Sequence, residues 1–201
     1  MLLATFSKLI SIGTLQSMGK IAPITRRPIT VKMESTYPEL GIRSFGKGTF
    51  HKPAVRGVEI GSKKLFCLEP GDLVFSNVFA WEGAIAIAKA EDAGRVGSHR
   101  FIACAPKQGV ATANFLCFYF LTEDGLRKLG DSSPGGAGRN RTLGLEALSA
   151  TQVPLPPYEK QLGFDDLHSK VDALKKLQTE TAAELAALLP SILDKAFKGE
   201  L

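Results

Sequence analysis

The chain is poor in the residues that run most enzyme chemistry. Its 201 residues hold three histidines, His51, His99 and His168, and three cysteines, Cys67, Cys104 and Cys117, all far apart. There is no C-x-x-C pair and no H-x-x-x-H spacing, so common zinc sites are excluded and no metal ligand set is expected. The odd cysteine count argues against a disulfide framework; reduced thiols filling core space, as in a cytosolic protein, are expected instead. No Gly-Lys-Ser/Thr follows the glycines, which excludes a Walker phosphate loop. Neither Glu-x-Lys nor Asp-x-Lys occurs, so the carboxylate–lysine pairing of common metal-dependent nucleases is missing. No apolar run reaches the ~18 to 20 residues that span a bilayer. Lys8 interrupts the apolar start Met1–Ile12, and no small-residue cleavage site follows, so no signal peptide is expected. These absences point to a soluble cytoplasmic protein with no membrane partner.

One methylation signal is present in outline only. Pro156-Pro157-Tyr158 matches the Pro-Pro-aromatic end of base-amino methyltransferase motifs, where a preceding Asp, Asn or Ser accepts a hydrogen bond from the target amino group. Leu155 stands in that place and offers no acceptor. No glycine-rich loop after a strand is present to hold a methyl donor. The tripeptide reads as a helix entry, and no catalytic residue is expected.

Charge divides the chain. The formal balance is +5 overall, +7 for residues 1–157 and −2 for residues 158–201. An anionic partner is therefore expected for the first part alone. That part reads as a domain over 1–157, of mixed or antiparallel α+β class. Short apolar runs at 64–68, 72–79, 84–88 and 100–104, bounded by Glu69-Pro70-Gly71 and Asp92-Ala93-Gly94, predict strands. Phe115, Leu116, Tyr119, Phe120, Leu126 and Leu129 predict one or two helices, broken at Asp124-Gly125. Val153-Pro154-Leu155-Pro156-Pro157 is expected to close the globular part, because successive prolines disfavour a sheet ladder and favour an extended linker.

Residues 158–201 form a separate unit, a long helix with a seam of Leu167, Val171, Leu174, Gln178, Thr181, Leu185, Leu188 and Ile192 at alternating four–three spacing. Such a seam calls for a partner helix. Alanines 182, 183, 186 and 187 permit close approach. Pro190 is expected to kink the helix or start a new segment.

Three basic, glycine-punctuated segments lie in the first part. Ser132-Ser133-Pro134-Gly135-Gly136-Ala137-Gly138 leads into Arg139, Asn140 and Arg141. Arg matches phosphates and guanine edges, and Asn reads adenine. Gly41 to Lys52 carries Arg43, Ser44, Lys47, His51 and Lys52, with Phe45 and Phe50 expected to anchor that loop in the core. Gly97 to Phe101 carries Ser98, His99 and Arg100 at the start of a strand. Trp81 offers a face for stacking on bases or a place at the core rim.

Taken in order, the strings GIRSFGKGTFHK at 41–52, PGDLV at 70–74, FAWEGA at 79–84, GSHRF at 97–101, SPGGAGRNRT at 133–142, VPLPP at 153–157 and AFKGEL at 196–201 resemble the specificity subunit of type I restriction–modification systems. The resemblance runs from about Arg26 to the end. It implies a target recognition domain on double-stranded DNA followed by a spacer helix, with no activity of its own. It further implies modification (methyltransferase) subunits and restriction subunits as partners. S-adenosylmethionine, ATP and Mg would belong to those subunits, so no cofactor is expected here. The familiar form has two recognition domains and two antiparallel helices. This chain has one of each, and two copies joined by the 158–198 helices would rebuild the two-domain shape. The rival readings are a non-catalytic protein-binding adaptor that oligomerises through the same helix, and an enzyme with a dispersed site around His99 and Cys104.

Overall fold

The structure, a computed structural model, describes residues 2–135 and 141–198; the side chains of 187, 189 and 191–196 lie outside the description. In chain order the elements are α1 (Leu2–Ser11), β1 (Thr14–Ser17), α2 (Met18–Ile21), β2 (Ile24–Thr25), β3 (Pro28–Ile29), β4 (Thr36–Ile42), β5 (Thr49–Arg56), α3 (Gly57–Ile60), β6 (Leu65–Cys67), β7 (Leu73–Ser76) and β8 (Ile85–Ile87). There follow β9 (Val96–Ser98), β10 (Phe101–Cys104), α4 (Ala113–Phe120), α5 (Glu123–Asp131), α6 (Leu145–Ala150), β11 (Gln152–Leu155) and α7 (Tyr158–Lys198). The class is α+β, as expected.

Two sheets form the domain. One is antiparallel with order β2-β10-β7-β8; the other is mixed, with order β3-β6-β9-β4-β5 and β4 parallel to β9. The apolar runs are continuous because their strands are covered on both faces. In β7, Leu73 and Phe75 pack toward the helices while Val74 packs with Leu40 and Ala103 on the other face. In β10, Ile102 and Cys104 take the helix side.

The helical layer closes through aromatic rings. Phe6 of α1 sits 5.0 Å from Phe115 and 4.6 Å from Phe118 of α4, and 5.1 Å from Phe164 of α7. The apolar start of the chain is thus an amphipathic helix that buries Phe6.

Four local expectations change. First, the proline-rich segment does join a ladder: β11 pairs antiparallel with β1, setting Pro154 opposite Leu15. A two-stranded ribbon leaves each strand an open edge, so a residue without an N–H is tolerated. Second, the prolines do not hold α7 away from the domain. The amide of the fully buried Gln161 accepts from Thr112 N–H at 3.0 Å and donates to the carbonyls of Val110 and Pro156 at 2.9 Å each.

Third, the break between α4 and α5 falls at Leu121–Thr122 rather than at Asp124-Gly125. The Thr122 hydroxyl caps α5 by accepting from Gly125 N–H, and a Cβ at Gly125 would collide with the Tyr119 carbonyl. Fourth, of the kink or new segment expected at Pro190 the new segment does not occur: α7 continues through Pro190 to Lys198. Ala186, whose carbonyl loses its helical donor at Pro190, is exposed.

Candidate nucleic-acid interface

The connection Asn77–Ala84 between β7 and β8 is the point where the basic segments meet. Its own backbone is tight: Ser76 N–H donates to Ala84 O at 3.0 Å and Ala84 N–H to Phe79 O at 3.0 Å. On one side the loop after β4 docks through its backbone. Phe45 N–H donates to Glu82 O and Gly46 N–H to Gly83 O, both at 2.9 Å. Gly83 has φ +74, and a Cβ there would stand 3.4 Å from Phe45 Cα and 3.3 Å from Leu121 Cδ2. Only glycine combines that conformation with so close an approach. On the other side Asn77 N–H donates to Arg100 O at 2.8 Å, and Asn77 O accepts from Leu143 N–H at 2.7 Å. Asn77 Oδ1 is buried with no hydrogen-bond partner among the described residues. Segments far apart in sequence are thereby pinned to one turn.

The predicted residues distribute unevenly over this face. Arg43 is exposed; its Nη1 donates to Thr49 O at 2.9 Å and its guanidinium lies 4.7 Å from the Phe50 ring centre. Lys47 is exposed, 6.0 Å from the ring of Phe45. Ser44 Oγ donates to Glu82 Oε2 at 3.4 Å, which spends the hydroxyl inside the protein. Trp81 is half-buried, donates to Val78 O at 2.9 Å and carries the Arg141 guanidinium 5.3 Å over its face. Arg141 is exposed. His99 and Arg100 are exposed in the turn between β9 and β10, and the half-buried Ser98 Oγ accepts from Arg100 N–H at 3.3 Å. Arg139 and Asn140 lie outside the described residues.

Phe45 reverses an expectation. It does not anchor its loop in the core but stands 74% exposed. The anchor is the backbone pairing with Glu82 and Gly83, which side-chain reasoning overlooks. The string FAWEGA at 79–84 contains Glu82 and Gly83 but says nothing of this docking, because Asn77, Glu82 and Gly83 all take part through main-chain atoms.

His51 and Lys52 are held by carboxylates further along β5. Lys52 Nζ lies 3.8 Å from Glu39. His51 Nε2 lies 2.9 Å from buried Asp92, whose carboxylate also accepts from Thr49 Oγ1 at 3.0 Å and Lys89 N–H at 2.9 Å. Burial alone would raise the Asp92 pKa; Lys89 N–H, His51 and Thr49 outweigh it and hold the group below its ordinary value. Because the folded pKa lies below the unfolded value of about 4, the carboxylate's contribution is complete above that pH and lost as pH falls through the folded value. Asp92→Asn should therefore melt below the native protein at neutral pH, with the gap closing below about pH 4. Thermal melts of both proteins from pH 7 to pH 2 check this; a constant gap contradicts it.

The geometry gives the rival site at His99 and Cys104 no support: His99 is exposed in the turn before β10, whereas Cys104 is fully buried at the far end of that strand. Burial, with Asp72 nearby, pushes the Cys104 thiol up to about 12. Among the described residues no group of three or more His, Cys, Asp or Glu stands together to hold a metal. No described helix is long and apolar enough to cross a membrane.

The seam of α7 begins in the domain and leaves it. Leu167 and Val171 are half-buried, whereas Gln178 and Thr181 are exposed, as are Leu174 and Leu185 at 60% each and Leu188 at 54%. The side chain of Ile192 is outside the description. The pattern is its own reverse about the midpoint between Thr179 and Glu180. Val171 then answers Leu188, Leu174 answers Leu185, Gln178 answers Thr181 and Leu167 answers Ile192.

Two solved structures share this architecture. The crystal structure of the HsdS subunit from Thermoanaerobacter tengcongensis matches with a TM-score of 0.65 at 19% identity, covering 85% of this chain and 45% of that one. The domain has the HsdS fold. A second structure, describing complex assembly and conformational transition of the type I R-M system, matches with a TM-score of 0.58 at 21% identity, covering 99% of this chain and 52% of that one. The present chain spans about half the length of each. No family description and no curated protein matches it. Within the HsdS fold, the Asn77–Ala84 turn and the seam of α7 lie on separate elements, one among the sheets and one on the terminal helix.

Proposed function

We propose that this chain is the sequence-reading subunit of a type I restriction–modification methyltransferase complex, without catalytic activity of its own. It positions modification subunits for adenine methylation and restriction subunits for cleavage, and S-adenosylmethionine, ATP and Mg are held by those partners. The observation that carries the reading is the convergence of Arg43, Lys47, Arg100 and Arg141 around one rigid turn of an HsdS-like domain. Cations held on a rigid scaffold suit the regular spacing of duplex phosphates, and arginine among them reads guanine. His51 and Lys52, bound to carboxylates, serve as weaker phosphate contacts at the margin of this face.

Replacing Arg139 and Arg141 together by Ala should weaken specific binding by ~1 to 3 kcal/mol for each base-reading arginine removed. Gel-shift titration and in vivo methylation with co-expressed modification subunits test it. Unchanged binding and methylation would remove the 132–142 loop from the interface.

The second element of the proposal is a homodimer through α7. In a two-fold interface residue i meets j while j meets i, which the self-reversing seam satisfies with antiparallel helices. Gln178 and Thr181 form a polar layer at the centre, a device that sets register at some cost in stability. The two copies would then read an inverted repeat. In this register the two Phe164 anchors are roughly 46 Å apart along the axis, about 13 base pairs at 3.4 Å per step. Mapping methylated adenines in cells carrying the complete system should return a bipartite palindrome with half-site centres near that spacing. An asymmetric target would refute pairing of identical halves.

A further inference from the structure

We infer that Phe45 is a wedge that enters the stack of the bound duplex, in addition to the charged contacts. This rests on the DNA-reading role proposed above. Among the described residues Phe45 is the single non-glycine with positive φ, at 63°. A bulky residue is a genuine outlier there, and Gly, Asn or Asp would hold the turn with less strain. A purely architectural loop has no use for an aromatic side chain at that position. The strain persists because both neighbours are fixed. Ser44 bonds Glu82, Phe45 N–H and Gly46 N–H bond the Glu82 and Gly83 carbonyls, and a Cβ at Gly46 would come 2.8 Å from Leu121 Cδ1. The backbone at Phe45 is thereby held, and its ring stands in solvent.

Its surroundings define the occupant. Lys47 lies 6.0 Å from the ring, Arg43 is braced on Phe50, and Arg141 lies over Trp81 on the same turn that docks the loop. An apolar tip with Lys47 beside it and further cations on the adjoining segments fits a polyanion with an apolar interior, which describes a base-pair step between phosphates. Apolar side chains inserted at such steps partly unstack them, and pyrimidine–purine steps yield most easily. The target half-site is therefore expected to hold a TA or CA/TG step at the position facing Phe45.

The test uses the full chain with its co-expressed modification subunits and duplexes of the mapped target. 2-Aminopurine is placed in turn at each position of one half-site. Native protein should raise the fluorescence at one step apart from the adenine that the modification subunit takes out of the stack. Phe45→Ala and Phe45→Gly should abolish that rise and weaken binding roughly tenfold or more, by analogy with the removal of a base–aromatic stack. The slope of affinity against salt should stay unchanged, because every phosphate-binding cation is still in place. Phe45→Trp should keep the rise. Phe45→Gly should also melt above Phe45→Ala, which shows that both fold and that strain was present. Native-like fluorescence and affinity in Phe45→Ala, or no such rise with native protein, overturns the wedge alone. Equal affinity of native protein for every duplex overturns the DNA-reading role together with it.

Discussion

Phe164→Ala is expected to destabilise the protein by about 3 to 5 kcal/mol, a large share of the stability of a domain this size. The ring is buried in the centre of an aromatic cluster, 5.1 Å from Phe6, 6.0 Å from Phe115 and 5.0 Å from Phe118. Those three rings come from α1 and α4, so the cavity would open where the first helix, the helical layer and α7 meet. Truncation removes the transfer energy of the ring and leaves a hole that helices pinned by Gln161 cannot collapse into. Urea unfolding monitored by circular dichroism measures the effect. A change under about 1 kcal/mol would mean that the root of α7 is an independent rod, as the prolines before it suggested. The destabilisation should appear at every protein concentration, since the packing lies within one chain.

Leu174→Glu combined with Leu185→Glu should have the opposite signature, with folding retained and association abolished. In the proposed antiparallel register these two leucines would face each other, so each dimer would give up two such layers and gain four carboxylates. Both are 60% exposed in the single chain, so its own stability depends little on them. Burying a leucine is worth about 1.5 to 3 kcal/mol, and removing four together shifts the dimer constant by ~10³ or more. Sedimentation equilibrium should give a dimer for the native chain and a monomer for the variant at the same micromolar loading. Gln178→Leu with Thr181→Leu should tighten association while relaxing its register, because the polar layer that penalises slipped pairings is gone. A native chain that stays monomeric, or a double-Glu variant that stays dimeric, would refute the seam.

The two results bear on different parts of one helix. Its first turns obey the domain core, and its exposed middle leaves that core. Periodicity alone reads the whole of 158–198 as one seam, because Phe164, Leu167 and Val171 continue the same stripe as Leu174 and Leu185. What separates them is whether α1 and α4 lie against the stripe.

By itself the sequence determined the α+β class, the short strands, the long terminal helix and the basic character of the first part. These follow from local spacing, turn chemistry and charge, which need no knowledge of neighbours. It also determined the self-reversing order of the seam, since a palindrome of apolar positions is a property of the chain. Tertiary structure alone decided that Val153–Leu155 forms a strand, because its partner Thr14–Ser17 lies nearly 140 residues earlier. It alone decided that three basic segments share the Asn77–Ala84 turn, through main-chain bonds of Phe45, Gly46, Arg100 and Leu143 that any residue type but proline could make. And it placed Phe45 in solvent, where composition argued for the core: the ring goes where its φ and the hydrogen bonds of its neighbours aim it, and hydrophobicity does not choose the direction.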